Sequence, residues 1–327
     1  MIEMFRCPIC RGGLFFAKPQ SVELHGELSN EIRSSSEIKC KQCGNTYSVE
    51  DSIPRFVADS GYSSSFGFQW NLHKRTQLDS HSGLTISRDR LFDTAAWPDD
   101  MRGKIILEAG SGAGRFTEIL VATGALVYSF DYSDAVDANN ENNGGDGNLT
   151  LFQASIYAIP LAPGTFDKVI CLGVIQHTPD PAESFRKLAE MVRQGGELVI
   201  DVYARNWLAL LQWKYLLRPL TKRMNRIVLY RAIVVITPWL LPLGKLLRRI
   251  AGRVGARLIP IVEYSHLGLT QKLNKEWAIL DTFDMYSPAH DHPQSISTVR
   301  RWFESEGFID ITVRRGQNGV IGRGRKP

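Results

Sequence analysis

Apolar and polar positions change their period along this chain, and the changes divide it into regions. Between 101 and 204, short apolar runs alternate with segments of helical spacing, the pattern of a parallel sheet with crossover helices. The runs at 104–108, 125–130, 149–153, 166–172 and 197–202 predict five strands. The stretch 114–122 predicts a helix after the first strand, and 181–192 an amphipathic helix with Phe185, Leu188 and Val192 at helical spacing. Near the C-terminus, 297–306 predicts another helix, with Ser295 or Ser297 as N-cap and Gly307 as its stop. Stretches 308–313 and 319–322 then predict a closing hairpin, and the Asn/Gly-rich stretch 139–148 a turn after a short helix.

Length and composition place these elements in an ordinary globular protein. The 327 residues allow one large core plus appendages, and 43% hydrophobic with 22% charged content is typical of such proteins. The opening residues lack a basic start, an apolar run and a small-residue cleavage site, which predicts the cytoplasm and reduced thiols. Of the five cysteines, four form two close pairs, and Cys171 sits in an apolar run expected to bury its thiol. Charge is unevenly spread. Between 202 and 262 there are 12 Lys or Arg and no Asp or Glu, leaving 27 basic against 34 acidic residues elsewhere.

The string Ile106-Leu107-Glu108-Ala109-Gly110-Ser111-Gly112-Ala113-Gly114-Arg115-Phe116 joins the first predicted strand to its helix. Glycines let the backbone turn sharply and come close to a nucleoside, and a helix N-terminus favours anionic groups. NAD and FAD proteins use the same device, so a glycine trio alone does not discriminate. Here the spacing is Glu-x-Gly-x-Gly-x-Gly, and a second acid, Asp131, follows the second strand, where it can accept hydrogen bonds from both ribose hydroxyls.

On these residues, over 101–204 and 295–324, the chain resembles the class I S-adenosylmethionine-dependent methyltransferases. A plain Rossmann turn for NAD is the alternative. The resemblance implies an α/β fold: a Rossmann-like seven-stranded sandwich whose last strand runs antiparallel. It also implies S-adenosyl-L-methionine as cofactor. The positions it carries over are Glu108, Gly110, Ser111, Gly112, Gly114 and Arg115 in the loop, Asp131 and Tyr132 after the second strand, Ala154 and Ser155 after the third, and Gln176 after the fourth. Ser155 stands where the family usually has an aspartate near the adenine amino group.

The string Leu172-Gly173-Val174-Ile175-Gln176-His177-Thr178-Pro179-Asp180-Pro181 resembles the branch that contains ubiquinone, menaquinone and many small-molecule methyltransferases. The Asn/Asp-Pro-Pro-Tyr string of enzymes that methylate planar amino groups is absent. A hydroxyl or carbon acceptor needs a base with a pKa near the working pH. His177 is the candidate; the competing role is packing over the cofactor or capping the following turn.

Cys7-Pro8-Ile9-Cys10 and Cys40-Lys41-Gln42-Cys43 are two knuckles separated by 29 residues. Two such turns supply the four thiolates of a tetrahedral zinc site with no open position, hence a structural Zn(2+). A redox pair would be a single Cys-x-x-Cys before a helix. Together with Asp51-Ser52-Ile53-Pro54-Arg55-Phe56, the segment resembles the small zinc-ribbon activator that partners tRNA and release-factor methyltransferases. It is expected to stabilise or dock the catalytic domain, with RNA recognition as the second reading.

The basic segment opens at Trp207 and contains three of the seven tryptophans. Its longest charge-free run, 232–244, is 13 residues and includes Pro238 and Pro242, short of the roughly 20 needed to span a bilayer. This predicts no transmembrane helix, but a lid over the acceptor. Such a lid can lie on an anionic membrane surface or pack on the core with its arginines solvated. Nucleic acid is less favoured, because long aliphatic runs separate the charges. Beyond it, 277–293 with 66–71 resembles strings of bacterial methyltransferases associated with cell-surface glycans or secondary metabolites. Trp70, Tyr286, His290, Asp291 and His292 are candidates for the acceptor pocket. The last three are also candidates for a second base, a divalent-ion site, or a turn held by Asp and Pro.

The expected organisation is a zinc ribbon at 1–58, a helical linker or cofactor cover at 59–100, a methyltransferase core at 101–204 and 281–327, and a basic lid at 205–280. The expected function is methyl transfer to a small or lipid-linked acceptor at oxygen or carbon. Placement is in the cytoplasm, with a peripheral position on the inner face of the membrane through 205–262 as an option. The alternatives are an RNA methyltransferase docked through ribbon and basic segment, and a cofactor-binding scaffold that activates a partner enzyme.

Overall fold

The computed structural model describes residues 2–17, 37–57, 61–205 and 213–327. The part of the predicted ribbon at 18–36 and the opening of the basic segment at 206–212, Trp207 included, lie outside the described residues. At the N-terminus, β1 (Leu14–Phe16), β2 (Glu37–Cys40), β3 (Thr46–Glu50) and β4 (Ile53–Pro54) form a four-stranded antiparallel meander. Helices α1 (Ser64–Leu72), α2 (Asp79–Ser82) and α3 (Ile86–Ala95) follow.

The central sheet contains β5 (Ile105–Ala109), then α4 (Thr117–Ala122), β6 (Leu126–Asp131), α5 (Ala135–Asn143), β7 (Leu149–Gln153), β8 (Phe166–Leu172), α6 (Pro181–Met191) and β9 (Val192–Val202). After the basic segment's α7 (Trp213–Thr221), α8 (Arg226–Ala256) and α9 (Gln271–Tyr286), the chain closes with α10 (Ile296–Ser305), β10 (Ile309–Arg315) and β11 (Val320–Arg325). The strand order is β10-β11-β9-β8-β5-β6-β7. β5 to β9 run parallel, and β11 is antiparallel to both β9 and β10. This is the Rossmann-like methyltransferase order with an antiparallel last strand in the sheet, as expected.

The period-2 geometry of strands divides the core into two layers. Leu107, Tyr128, Val169 and Ile200 pack with Phe185 of α6 and Phe303 of α10, while Ile106, Val127, Ile170 and Val199 pack with Leu91 of α3 and Leu120 of α4. Local signals set the helix starts. Asp180 caps α6 by accepting from the Ala182 and Glu183 amides at 3.0 and 3.1 Å, with Pro181 as first residue. Of the two candidate caps for α10, Ser295 is the one that serves, accepting from Thr298 N at 3.0 Å.

The N-terminal meander docks on the β7 edge. Phe56 N donates to the Gln153 carbonyl at 2.8 Å, and Phe5 sits between Phe56 and Phe152 with centroids 5.5 and 5.4 Å away. An open sheet edge is a site for unwanted strand pairing, and here the ribbon covers it.

Four expectations on elements are corrected. The helix predicted from 114 begins at Thr117, because Gly114 has φ +89° and belongs to the turn. The predicted turn at 139–148 is in part helix, since Asn139 to Asn143 complete α5. Val192 is the first residue of β9, not the last of α6, and β9 starts five residues before the predicted 197 because Val192 pairs with Phe166 of β8, ahead of a register shift that leads to the Lys168–Glu197 pair. α8 itself runs 31 residues through Pro238 and Pro242 and breaks only at Ala251–Gly252. Proline removes one ladder bond and kinks a helix without always stopping it. α8 is long and apolar enough, by length and composition, to cross a membrane. The expected boundary at 280/281 falls inside α9, which packs Ile279, Phe283 and Tyr286 against Leu229 and Ile233 of α8.

Candidate functional site

A cavity of about 1040 Å³ opens at the carboxyl ends of the parallel strands, where ligands bind in open α/β sheets. The volume lies at the top of the range for small-molecule sites, enough for a nucleoside and a second molecule. The loop between β5 and α4 forms one wall. Gly110 has φ +76°, and a Cβ there would lie 2.3 Å from Val174 Cγ2. The amides of Gly110 and Ser111 donate to the Phe130 carbonyl at 2.8 and 3.0 Å. Gly112 N donates to Asp131 Oδ2 at 2.9 Å, and Trp70 lies against Gly112, where a Cβ would come to 3.2 Å from its indole nitrogen.

Asp131 also accepts from Ser133 N at 2.8 Å and Ser133 Oγ at 2.7 Å. A carboxylate has about four lone-pair sites, so the expectation of two ribose hydroxyls is reduced to room for about one more donor. Burial pushes the Asp131 carboxyl up from its ordinary value, against the pull of its Ser133 and Gly112 donors. Ser111 Oγ is buried on the cavity wall without a hydrogen-bond partner. An orphaned hydroxyl beside a glycine cradle and an acid fits the polar ends of a nucleoside-type cofactor.

The structure separates the expected cofactor residues into two groups. Gly110, Ser111, Gly112, Arg115, Asp131 and Tyr132 line the cavity; Glu108, Gly114, Ala154, Ser155 and Gln176 do not. Glu108 is buried behind the loop, where Oε2 accepts from Thr117 Oγ1 at 2.5 Å and Ser129 Oγ at 2.7 Å, and burial pushes its carboxyl up to about 7. Gly114 makes room for Asn139 and Asn143, whose side chains would lie 2.2 Å from an added Cβ. Ser155 caps a short turn by accepting from Tyr157 N at 3.2 Å. Gln176 is fully buried, and neither carboxamide atom has a partner.

His177 is positioned by the turn after β8. Its Nδ1 lies 3.0 Å from the carbonyl oxygen of His290. A carbonyl only accepts, so Nδ1 carries the hydrogen and Nε2 keeps its lone pair. Phe66 and Tyr203 hold the ring with centroids at 5.2 Å each, and burial lowers its pKa, so the imidazole is neutral at pH 7. The acceptor-pocket expectations divide as well. Trp70 lines the cavity. Tyr286 is buried with its hydroxyl donating to the Pro260 carbonyl at 2.9 Å. Asp291 is tied to Lys214 at 2.8 Å and Arg218 at 3.0 Å, and His292 N donates to the Gln176 carbonyl at 2.8 Å. His290, Asp291 and His292 thus form a braced turn that supports His177, and do not line the cavity.

Sequence reasoning missed the lining supplied by α9 and the linker. Asp281 accepts from Gln77 at 3.1 Å and from the Tyr264 hydroxyl, and burial pushes its carboxyl up to about 6. Asp284 accepts from Gln69 and Tyr203, both at 3.2 Å. The two acids are three residues apart on one helical face, and that spacing within an apolar helix was the available signal.

The four ribbon thiols converge. The Sγ atoms of Cys7, Cys10, Cys40 and Cys43 lie within 4.8 Å of one another. Tetrahedral zinc with Zn–S near 2.3 Å places sulfurs about 3.8 Å apart, so the donor set fits. Tyr47 OH and Asn45 Nδ2, each 3.0 Å from Cys7 and Cys43 respectively, supply outer hydrogen bonds. No other group of three or more ligand atoms close enough for a metal occurs among the described residues, and at 290–292 the Asp291 carboxylate is engaged by Lys214 and Arg218.

Residues 107–200 match the model of the family described as a methyltransferase domain. The ubiquinone biosynthesis O-methyltransferase of Pseudomonas paraeruginosa (strain PA7) is 31% identical over 116 residues, covering 34% of this chain and 50% of that protein. The protein of the same name from Pseudomonas entomophila is 30% identical over 136 residues, 38% and 59% of the two chains. The chain thus spans between half and three-fifths of these curated relatives. Among solved structures, an O-methyltransferase family protein from Burkholderia thailandensis aligns with TM-score 0.43 at 10% identity, covering 76% of this chain and 59% of that one. A Haloferax volcanii complex containing the Trm112 methyltransferase activator aligns at 0.44 and 11%, covering 80% and 97%. The strand order, the glycine loop and the acid after β6 accord with this match to a methyltransferase domain over residues 107–200.

Proposed function

We propose that this chain transfers a methyl group from S-adenosylmethionine to a small or lipid-linked acceptor at oxygen or carbon, with His177 as the base. The observation that carries the reading is the sharing of one cavity by the Gly110–Gly112 backbone, the Asp131 carboxylate and the neutral His177 ring. The bound cofactor supplies an activated methyl on a sulfonium. The chain's contribution is placement and one proton. Gly112 and Asp131 would hold the ribose end, Ser111 Oγ would be open to a polar group of the cofactor, and Trp70 and Tyr132 would supply apolar lining beside it. His177 Nε2 takes the proton from the acceptor, and its Nδ1–H on the His290 carbonyl fixes the tautomer and steadies the imidazolium that results. Orientation supplies much of the remaining rate.

The ribbon's role in this reading is structural. Its four thiolates leave no open position on zinc, and its docking covers the β7 edge. Calorimetric titration with S-adenosylmethionine, S-adenosylhomocysteine and NAD tests the cofactor. Micromolar binding of an adenosyl ligand without NAD binding is expected; NAD binding alone overturns the assignment.

A further inference from the structure

The lid carries an apolar surface that no described residue covers. α8 buries Leu229, Ile233, Thr237, Leu241 and Gly244, the row by which it packs toward α9 and the segment 259–261. Its other side presents Val228, Val235, Trp239, Leu243, Leu246 and Ile250, with exposures from 44% to 81%. At 3.6 residues per turn these six fall within an arc of about 80°, centred about 140° from the buried row. A single exposed apolar residue needs no explanation, but a continuous stripe does.

Charge narrows the occupant to one class. Arg231, Lys245 and Arg249 border the stripe on one side, and the whole segment 202–262 has 12 basic and no acidic residues. Arginine and lysine stems lie along apolar surface while their heads stay in a polar layer. An apolar stripe bordered by cations is the pattern of a helix lying in the interface of an anionic bilayer. A span across the bilayer conflicts with the packing, because the row from Leu229 to Gly244 is already buried on protein.

The stripe also leads to the cavity. Past the break at Ala251–Gly252, Arg253, Ala256 and Arg257 line the cavity beside Val254 and Leu258, which are 70% and 58% exposed. We propose that α8 seats the cavity mouth on an anionic bilayer, from which an amphiphilic acceptor enters past Arg253 and Arg257. The docking stands on the stripe alone; the route of the acceptor rests on the methyl-transfer reading.

The test is co-sedimentation with vesicles of phosphatidylcholine, with and without one-third phosphatidylglycerol, for the full chain and for W239E/I250E. Both positions are exposed, so the variant is expected to fold and to bind S-adenosylhomocysteine like the parent. The parent is expected to pellet with the anionic vesicles, to be released by high salt, and to bind at least about tenfold more tightly than the variant. Brominated lipid should quench the parent's tryptophan emission, and W239F should lose most of that quenching. A parent that stays in the supernatant with anionic vesicles overturns the proposal, as does a variant that pellets equally well. A dimer that W239E/I250E converts to monomer, with no vesicle binding, assigns the stripe to a second copy and also overturns it. Vesicle binding without S-adenosylhomocysteine binding would retain the docking and remove the methyl-transfer reading.

Discussion

Gly112 N donates to Asp131 Oδ2 at 2.9 Å, so the glycine loop after β5 and the acid at the end of β6 form one unit before any ligand arrives. Ser133 occupies the other oxygen twice. Asp131→Ala therefore removes a ligand contact and also frees the loop. Calorimetry should show cofactor affinity weakened by about 1–3 kcal/mol, and Asp131→Asn should lose less, because its amide oxygen can still accept from Gly112. Equal affinity in Asp131→Ala and the parent would remove Asp131 from the site.

Glu108 makes a prediction about pH. Its carboxyl ionises near 4.5 in an unfolded chain and near 7 when buried here. Folding therefore becomes less favourable as pH rises from about 4.5 to 7 and levels off above, an effect of roughly 1–3 kcal/mol. Glu108→Gln keeps an acceptor for Thr117 and Ser129 but does not titrate. Denaturant unfolding at pH 5 and pH 7.5 should show the variant gaining on the parent at the higher pH. Parallel stabilities at the two pH values would contradict a neutral buried carboxyl.

The zinc site predicts coupled loss. Cys40→Ser should reduce bound metal and lower the melting temperature of the whole protein by roughly 5–10 °C, since structural zinc contributes folding energy directly. The effect should reach the core because Phe5 and Phe56, which the ribbon presents, pack on Phe152 of β7. Uncovering the β7 edge should also raise aggregation on heating, read by light scattering. Unchanged metal content in the variant would sink the zinc assignment.

Much of the fold was legible because strand runs and cysteine spacing are local signals. The glycine spacing with Asp131 gave the wall of the cavity for the same reason. What the sequence hid depends on contacts between distant residues. Asn139 and Asn143 read as turn formers, yet Asn139 donates to Thr117 at 2.9 Å and Asn143 to the Gly114 carbonyl at 3.2 Å, bracing the loop from α5. Glu108 read as a ligand contact because strand-end acids often are, and only the register beside Ser129 shows it turned behind the loop. The length of α8 was hidden too, because a charge-free run of 13 residues with two prolines gives no sign of the packing of Leu229 to Gly244 that holds a 31-residue helix together.

His177 yields the most direct test of chemistry. Because Nδ1 donates to the His290 carbonyl at 3.0 Å, His177→Asn can place its amide nitrogen near the same carbonyl and keep the turn, while removing Nε2. The variant should bind S-adenosylhomocysteine like the parent and turn over about 10²–10⁴ times more slowly. Burial lowers the pKa of His177, so the neutral form persists below the ordinary histidine value of 6.5. Activity of the parent should accordingly be lost only as pH falls through that lowered value, placing the acid limb of kcat/KM below 6.5. The limb should vanish in His177→Asn, leaving a slow rate that does not vary with pH in that range. An acid limb unchanged in the variant would assign it to another group, with Asp281, pushed up to about 6 on the same cavity wall, as the next to replace.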